Sequence, residues 1–134
     1  MTTHALPKRY ALPTTLAEVP GDLAADCLRR LSWPCHSIDD AALLRACRAR
    51  LALKHLKACD AAMERHLAAS HKDPTRGSYT AWKRACRHYA QLSSWTEQLF
   101  TIALDDGDHH TRDLLTQHLE KKTNKRTARH ETTH

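Results

Sequence analysis

From Ser37 to Ser70 the chain runs without a proline or glycine, and Leu44, Leu51, Ala52, Leu56, Cys59, Met63 and Leu67 recur at helical spacing. Such a stripe, three or four residues apart, is what one face of an α-helix presents to a core. The stretch predicts a helix of roughly 33 residues, near 50 Å at 1.5 Å per residue. Ser37 is the expected N-cap, with Asp39 and Asp40 in the first turn, where the helix dipole favours acids. The loop HKDPTRG interrupts the pattern at Pro74 and Gly77, and Ser78 restarts it. A second long helix is predicted from about Tyr79 to Leu104. On it Trp82, Ala85, Cys86, Tyr89, Leu92, Thr96, Leu99, Phe100 and Ala103 share one face. Two long stripes joined by a short loop predict an antiparallel helical hairpin. His55 and His66 also fall within the first stripe.

The flanks are weaker. Residues 1–20 contain Pro7, Pro13 and Pro20 and have no period, so an extended or disordered arm is expected. LAADCLRRLSW then reads as a short helix with Leu23, Cys27, Leu28 and Leu31 on one side, stopped after Trp33 by Pro34. Asp105, Asp106, Gly107 and Asp108 end the second long helix and cap a short last one carrying Leu114, Leu115 and Leu119. This divides the chain into an arm (1–20), one helical domain (21–120) and a basic flexible tail (121–134). Two long helices and two short ones enclose a thin core, and completion of a bundle by homodimerisation is expected.

Composition narrows the class. With 134 residues, one domain is expected, and 3 Gly and 5 Pro are too few for a fold of short strands and tight turns. The fold class is therefore all-α. Five cysteines, none in a CxxC pair, and an N-terminal stretch without an apolar run point to a reducing, cytoplasmic setting with no membrane span. The preference for Arg over Lys, and for Ala and Leu over Ile, suggests a GC-rich bacterial genome or a mobile element within one.

Charge is unevenly placed. Residues 45–88 carry 11 basic and 3 acidic side chains, a net +8, whereas residues 89–120 carry a net −5 and the tail a net +4. Opposite the apolar stripe of the first long helix, Arg50, Lys54, Lys57, Arg65 and Lys72 fall within about 80° of one another. Arg76, Lys83 and Arg87 do the same on the second, with Arg84 beside them. Near the hairpin tip the two faces merge. A basic tip supplemented by Lys121, Lys122, Lys125 and Arg126 suits a phosphate backbone, where counterion release drives binding without base readout. The expected role is a small non-enzymatic nucleic-acid-binding accessory or regulatory protein. The alternative is a helical module, adaptor or inhibitor, that binds an acidic protein surface.

Metal chemistry has two candidate locations. His55 and Cys59 stand at i and i+4 with Cys86 across the hairpin, and DDGDHH (105–110) gathers carboxylates and imidazoles. A buried thiol explains the first as a small hydrophobe and capping explains the second, so no metal is expected. The Cys35–His36 pair has no remote partner. No glycine-rich loop is present to cradle a nucleotide, and no cofactor is expected. Arg50 to His55, Arg65 to His71 and Arg112 to His118 resemble the Arg-x(4–6)-His signature of the HEPN ribonucleases, all-α proteins built on a long helical hairpin. The resemblance covers these residue pairs alone. It implies an RNA-cleaving site in which Arg112 and His118, on the more polar last helix, supply electrostatic and acid/base roles.

Overall fold

A computed structural model describes residues 6–32, 39–105 and 108–132, with the side chains of 32, 76 and 124–132 left out of the description. Every regular element among these residues is helical: α1 (Gly21–Ser32), α2 (Asp40–Lys72), α3 (Arg76–Asp105) and α4 (His109–Thr132), preceded by two 3₁₀ turns, Lys8–Tyr10 and Leu16–Glu18. No helix among the described residues is long and apolar enough to cross a membrane.

The helix of 33 residues is α2, but its cap is Asp39, whose Oδ1 accepts from the Ala42 backbone N–H at 2.7 Å. Ser37, the expected cap, lies outside the described residues. Helix α3 begins one turn earlier than Ser78 implied. Thr75 takes the capping position, accepting from the Ser78 N–H at 3.1 Å, while Ser78 Oγ donates back to the Asp73 carbonyl. At the next junction Asp108 Oδ1 accepts from the Thr111 N–H at 3.1 Å, as the acidic cluster there predicts.

Helices α2 and α3 pack against each other more extensively than any other pair, as a hairpin. Leu53, Leu56, Cys59, Leu92 and Phe100 form the central cluster. Burial of Leu56 and Leu92, each 1% exposed, stabilises the fold by about 1.5–3 kcal/mol per side chain. A second cluster joins α1 to the start of α2 through Cys27, Leu31, Ala46 and Cys47, with Val19 closing it.

The flanks show two features beyond the sequence pattern. The segment 6–20 runs as 3₁₀ turns and extended backbone and contributes to the core through single side chains: Tyr10 is 4% exposed within the central cluster, and Val19 is buried in the second. The arm is also pinned by backbone acceptors, since Arg48 Nη1 donates to the Pro13 carbonyl and His55 Nε2 lies 3.2 Å from the Ala11 carbonyl. The last helix is not short. It continues to Thr132 through the segment expected as a tail, which contains no Pro or Gly to stop it and is rich in helix-forming Lys and Arg.

Candidate nucleic-acid interface

Lys83, Arg84 and Arg87 are presented by α3 because its apolar stripe, Ala85, Leu92, Thr96 and Phe100, is turned into the core and leaves the opposite face to water. Arg65 and Lys72, from the last turns of α2, are exposed as well. Among the described residues none of these five cations makes an ion pair with a carboxylate. Lys83 Nζ instead sits 5.4 Å from the ring centre of Tyr79, itself 51% exposed. Asp60, one of three acids in the basic segment, is engaged elsewhere, with Lys122 at 3.3 Å. The side chain of Arg76 lies outside the described residues.

The arm adds to this field, which the sequence did not reveal. Arg9 lies 4.9 Å from the Tyr10 ring centre, and Tyr10 meets the ring of His88 edge-on at 6.3 Å. Burial lowers the pKa of His88, and the nearby charges of Arg9, Arg84 and Arg87 push it in the same direction. The imidazole is thus held neutral amid three guanidinium groups. The local signal was KRY at 8–10, but only the burial of Tyr10 brings Lys8 and Arg9 to the hairpin.

Other members of the expected set are committed to the fold. Arg50, placed by periodicity on the basic face, is 10% exposed and bridges three helices: Nη1 donates to Asp26 of α1 and Nε to Thr111 Oγ1 of α4 at 3.3 Å. Its position on the wheel is opposite α3, but α1 and α4 cover that side. Lys122 is 18% exposed and lies 3.7 Å from the centre of the Tyr89 ring, in addition to pairing with Asp60. Lys121 is exposed, and the side chains of Lys125 and Arg126 lie outside the described residues.

The catalytic and metal alternatives find little geometry. Arg112 is on the exposed side of α4 against Asp113 at 3.2 Å, while His118 is 8% exposed with its Nε2 unpartnered. The Arg and His of that pair therefore face different surroundings. Arg50 and His55 are each used in internal contacts, to Asp26 and to the Ala11 carbonyl. Cys59 donates to the Ala85 carbonyl at 3.5 Å rather than sharing a ligand with His55. No group of three or more His, Cys, Asp or Glu among the described residues is arranged to hold a metal ion. Asp106 and the Cys35–His36 pair lie outside the described residues.

One further surface is formed jointly by the arm and α3. An open groove of about 810 Å³ runs between them, with Leu6, Pro7 and Leu12 on one side and Trp95, Leu99 and Ile102 on the other. Trp95 is 39% exposed there and Ile102 42%. The arm forms the wall opposite Trp95. Compared with family models, with curated proteins and with solved structures, the chain shows no match.

Proposed function

We propose that this protein is a non-enzymatic nucleic-acid-binding accessory or regulatory protein that grips phosphates with the tip of its α2–α3 hairpin. The reading is carried by one observation: Arg65, Lys72, Lys83, Arg84 and Arg87 are all solvent-exposed and unpaired with any carboxylate among the described residues. A solvated helix face ordinarily intersperses both signs of charge. Here the cations stand in excess on two adjacent helices, and Arg9 of the arm extends the field.

The test is polarisation of a fluorescent oligonucleotide at about 50 and 200 mM salt, with the charge-reversal variant Lys83→Glu/Arg84→Glu/Arg87→Glu alongside. A protein neutralising several phosphates loses orders of magnitude in affinity over that range. Binding that is steep in salt and lost in the variant supports the proposal. Equal binding by the variant would refute it.

A second reading, a helical module for a protein partner, is favoured by the exposed apolar residues Trp95 and Ile102. Weak salt dependence and binding to a protein in place of DNA or RNA would support it. Homodimerisation belongs to the same proposal. The acidic α3–α4 junction and the basic tip lie at opposite ends of the hairpin, which favours antiparallel pairing of two copies. A molar mass of one chain at micromolar concentration would remove it.

A further inference from the structure

Along the outer side of α3, Arg84, Gln91, Trp95, Gln98 and Ile102 fall within about 60° of one another on the helix. Four of the five are exposed and Gln91 is half-buried, so they form one continuous track from the hairpin tip into the arm groove. The track begins basic and ends aromatic. Trp95 stands about 16 Å from Arg84 and about 12 Å from Arg87 along the axis. Gln91 and Gln98 lie one turn to either side of the indole, each with an amide that both donates and accepts.

The groove is lined mainly by apolar side chains with cations at its edge, a combination that suits a flat ring carried on an anionic chain. Lys8 and Arg48 line it, Arg48 with Nη1 donating to the Pro13 carbonyl, and Arg9 stands beside Tyr10 and near His88. The arm's acid, Glu18, has its carboxylate turned to the Thr14 N–H at 2.9 Å. A nucleobase can stack on an exposed indole whatever its identity, and a cationic groove beside it holds the backbone.

We propose that the arm–α3 groove is a stacking site for a base of single-stranded nucleic acid, with Trp95 as the platform and Arg84, Arg87 and Arg9 holding the phosphates that lead to it. The proposal rests on the nucleic-acid reading above and adds the form of the ligand. Duplex bases are already stacked on one another and cannot reach Trp95 without unpairing. The groove therefore favours single strands, while the tip alone binds either form.

The experiment measures binding of fluorescein-labelled oligothymidylate, and of a duplex of equal length, to the wild-type chain, Trp95→Ala and Trp95→Phe. Because Trp95 is 39% exposed, both variants should keep the fold, which circular dichroism checks. Trp95→Ala is expected to weaken the single strand by about 5- to 150-fold, the range for one lost base stack. Trp95→Phe should recover most of it, and the duplex should bind all three proteins alike. Unchanged single-strand binding by Trp95→Ala, with the wild type binding both forms, overturns the stacking site and leaves the nucleic-acid reading standing. A wild type that binds neither form overturns both. A wild-type dimer turned to monomer by Trp95→Ala would assign the groove to a second copy of the chain and overturn the proposal.

Discussion

Arg50→Ala should show what holds α1 and α4 to the hairpin. In the wild type the guanidinium donates to Asp26 on α1 and to Thr111 on α4, from a position on α2 that is 10% exposed. Hydrogen bonds to charged groups contribute about 1.5–3 kcal/mol, and breaking a fully buried ion pair costs about 3–5 kcal/mol. Asp26 is 30% exposed and keeps Arg29 and the more distant Arg30, so the lower part of that span applies, about 2 kcal/mol. For a chain of this size the melting temperature should fall by about 6–10 °C. Arg50→Lys should recover part of the loss, since one ammonium cannot reproduce the fork that reaches both partners. The pair also has a pH signature. Hydrogen bonds from Arg50, and then from Arg29, hold the Asp26 pKa at about 2 against an ordinary 3.8. A carboxylate with a lowered native pKa stabilises fully above 3.8, and that stability is lost as pH falls toward 2. Denaturant melts from pH 5 to pH 2 should be less steep in pH for Arg50→Ala than for the wild type. A variant within about 0.5 kcal/mol of wild type, or an Asp26/Arg50 double-mutant cycle with no coupling, would refute this reasoning.

Other outcomes follow from single residues. His118 is buried with its Nε2 unpartnered, and burial sets its pKa below 6.5, with Asp60, Lys57, Lys122 and Lys121 around it. Its protonation is easier in the unfolded chain, so stability should be full above pH 6.5 and decline below it; His118→Gln should flatten a melting series from pH 8 to pH 5.5, and an unchanged slope would contradict this. His88 and His110 act with the same sign, so the slope should diminish and not vanish. Tyr10→Ala should cost about 3 kcal/mol or more in chemical denaturation, the range for a buried aromatic, and a neutral substitution would mean the arm is not part of the core. With thiol reagents at pH 8, Cys86 should be labelled in the native protein ahead of Cys27, Cys47 and Cys59; burial raises all three, Cys27 to about 12, and mass spectrometry of peptides reads the order.

The hairpin was legible because long helices advertise themselves twice, by an unbroken run of helix formers and by a repeating stripe. Leu92 and Phe100 are buried and Tyr89 packs against them as their spacing requires, while Trp82 is half-buried beside Tyr79. Less legible was a helix with more than one covered side. On α2, Ala46, Cys47, Ala49 and Leu53 are buried beyond the predicted stripe, because α1 and the arm cover what a two-helix pairing would leave open. The same cause misplaced Arg50 on a basic face. The arm escaped notice because 3₁₀ turns and proline-fixed segments have no period to read, although Tyr10 and Val19 anchor it in the two clusters. His55 and His66 were expected in the core by spacing and are only half-buried, whereas His118, on a helix with little amphipathic pattern, is the buried one. Of the candidate interface, the cations at 65, 72, 83, 84 and 87 could be read directly; the contribution of Arg9 and the groove beside Trp95 required the fold.

The central claim is tested most directly by nuclear magnetic resonance of the ¹⁵N-labelled chain titrated with a short single-stranded oligonucleotide at low salt. Perturbed amides should cluster at 65–72 and 76–88, with the Trp95 indole N–H and the amides of Lys8 and Arg9 shifting in step, while α1 and the buried half of α4 stay unmoved. Shifts confined to α1 or α4, or none at saturating oligonucleotide, would contradict the assignment of function to the hairpin tip.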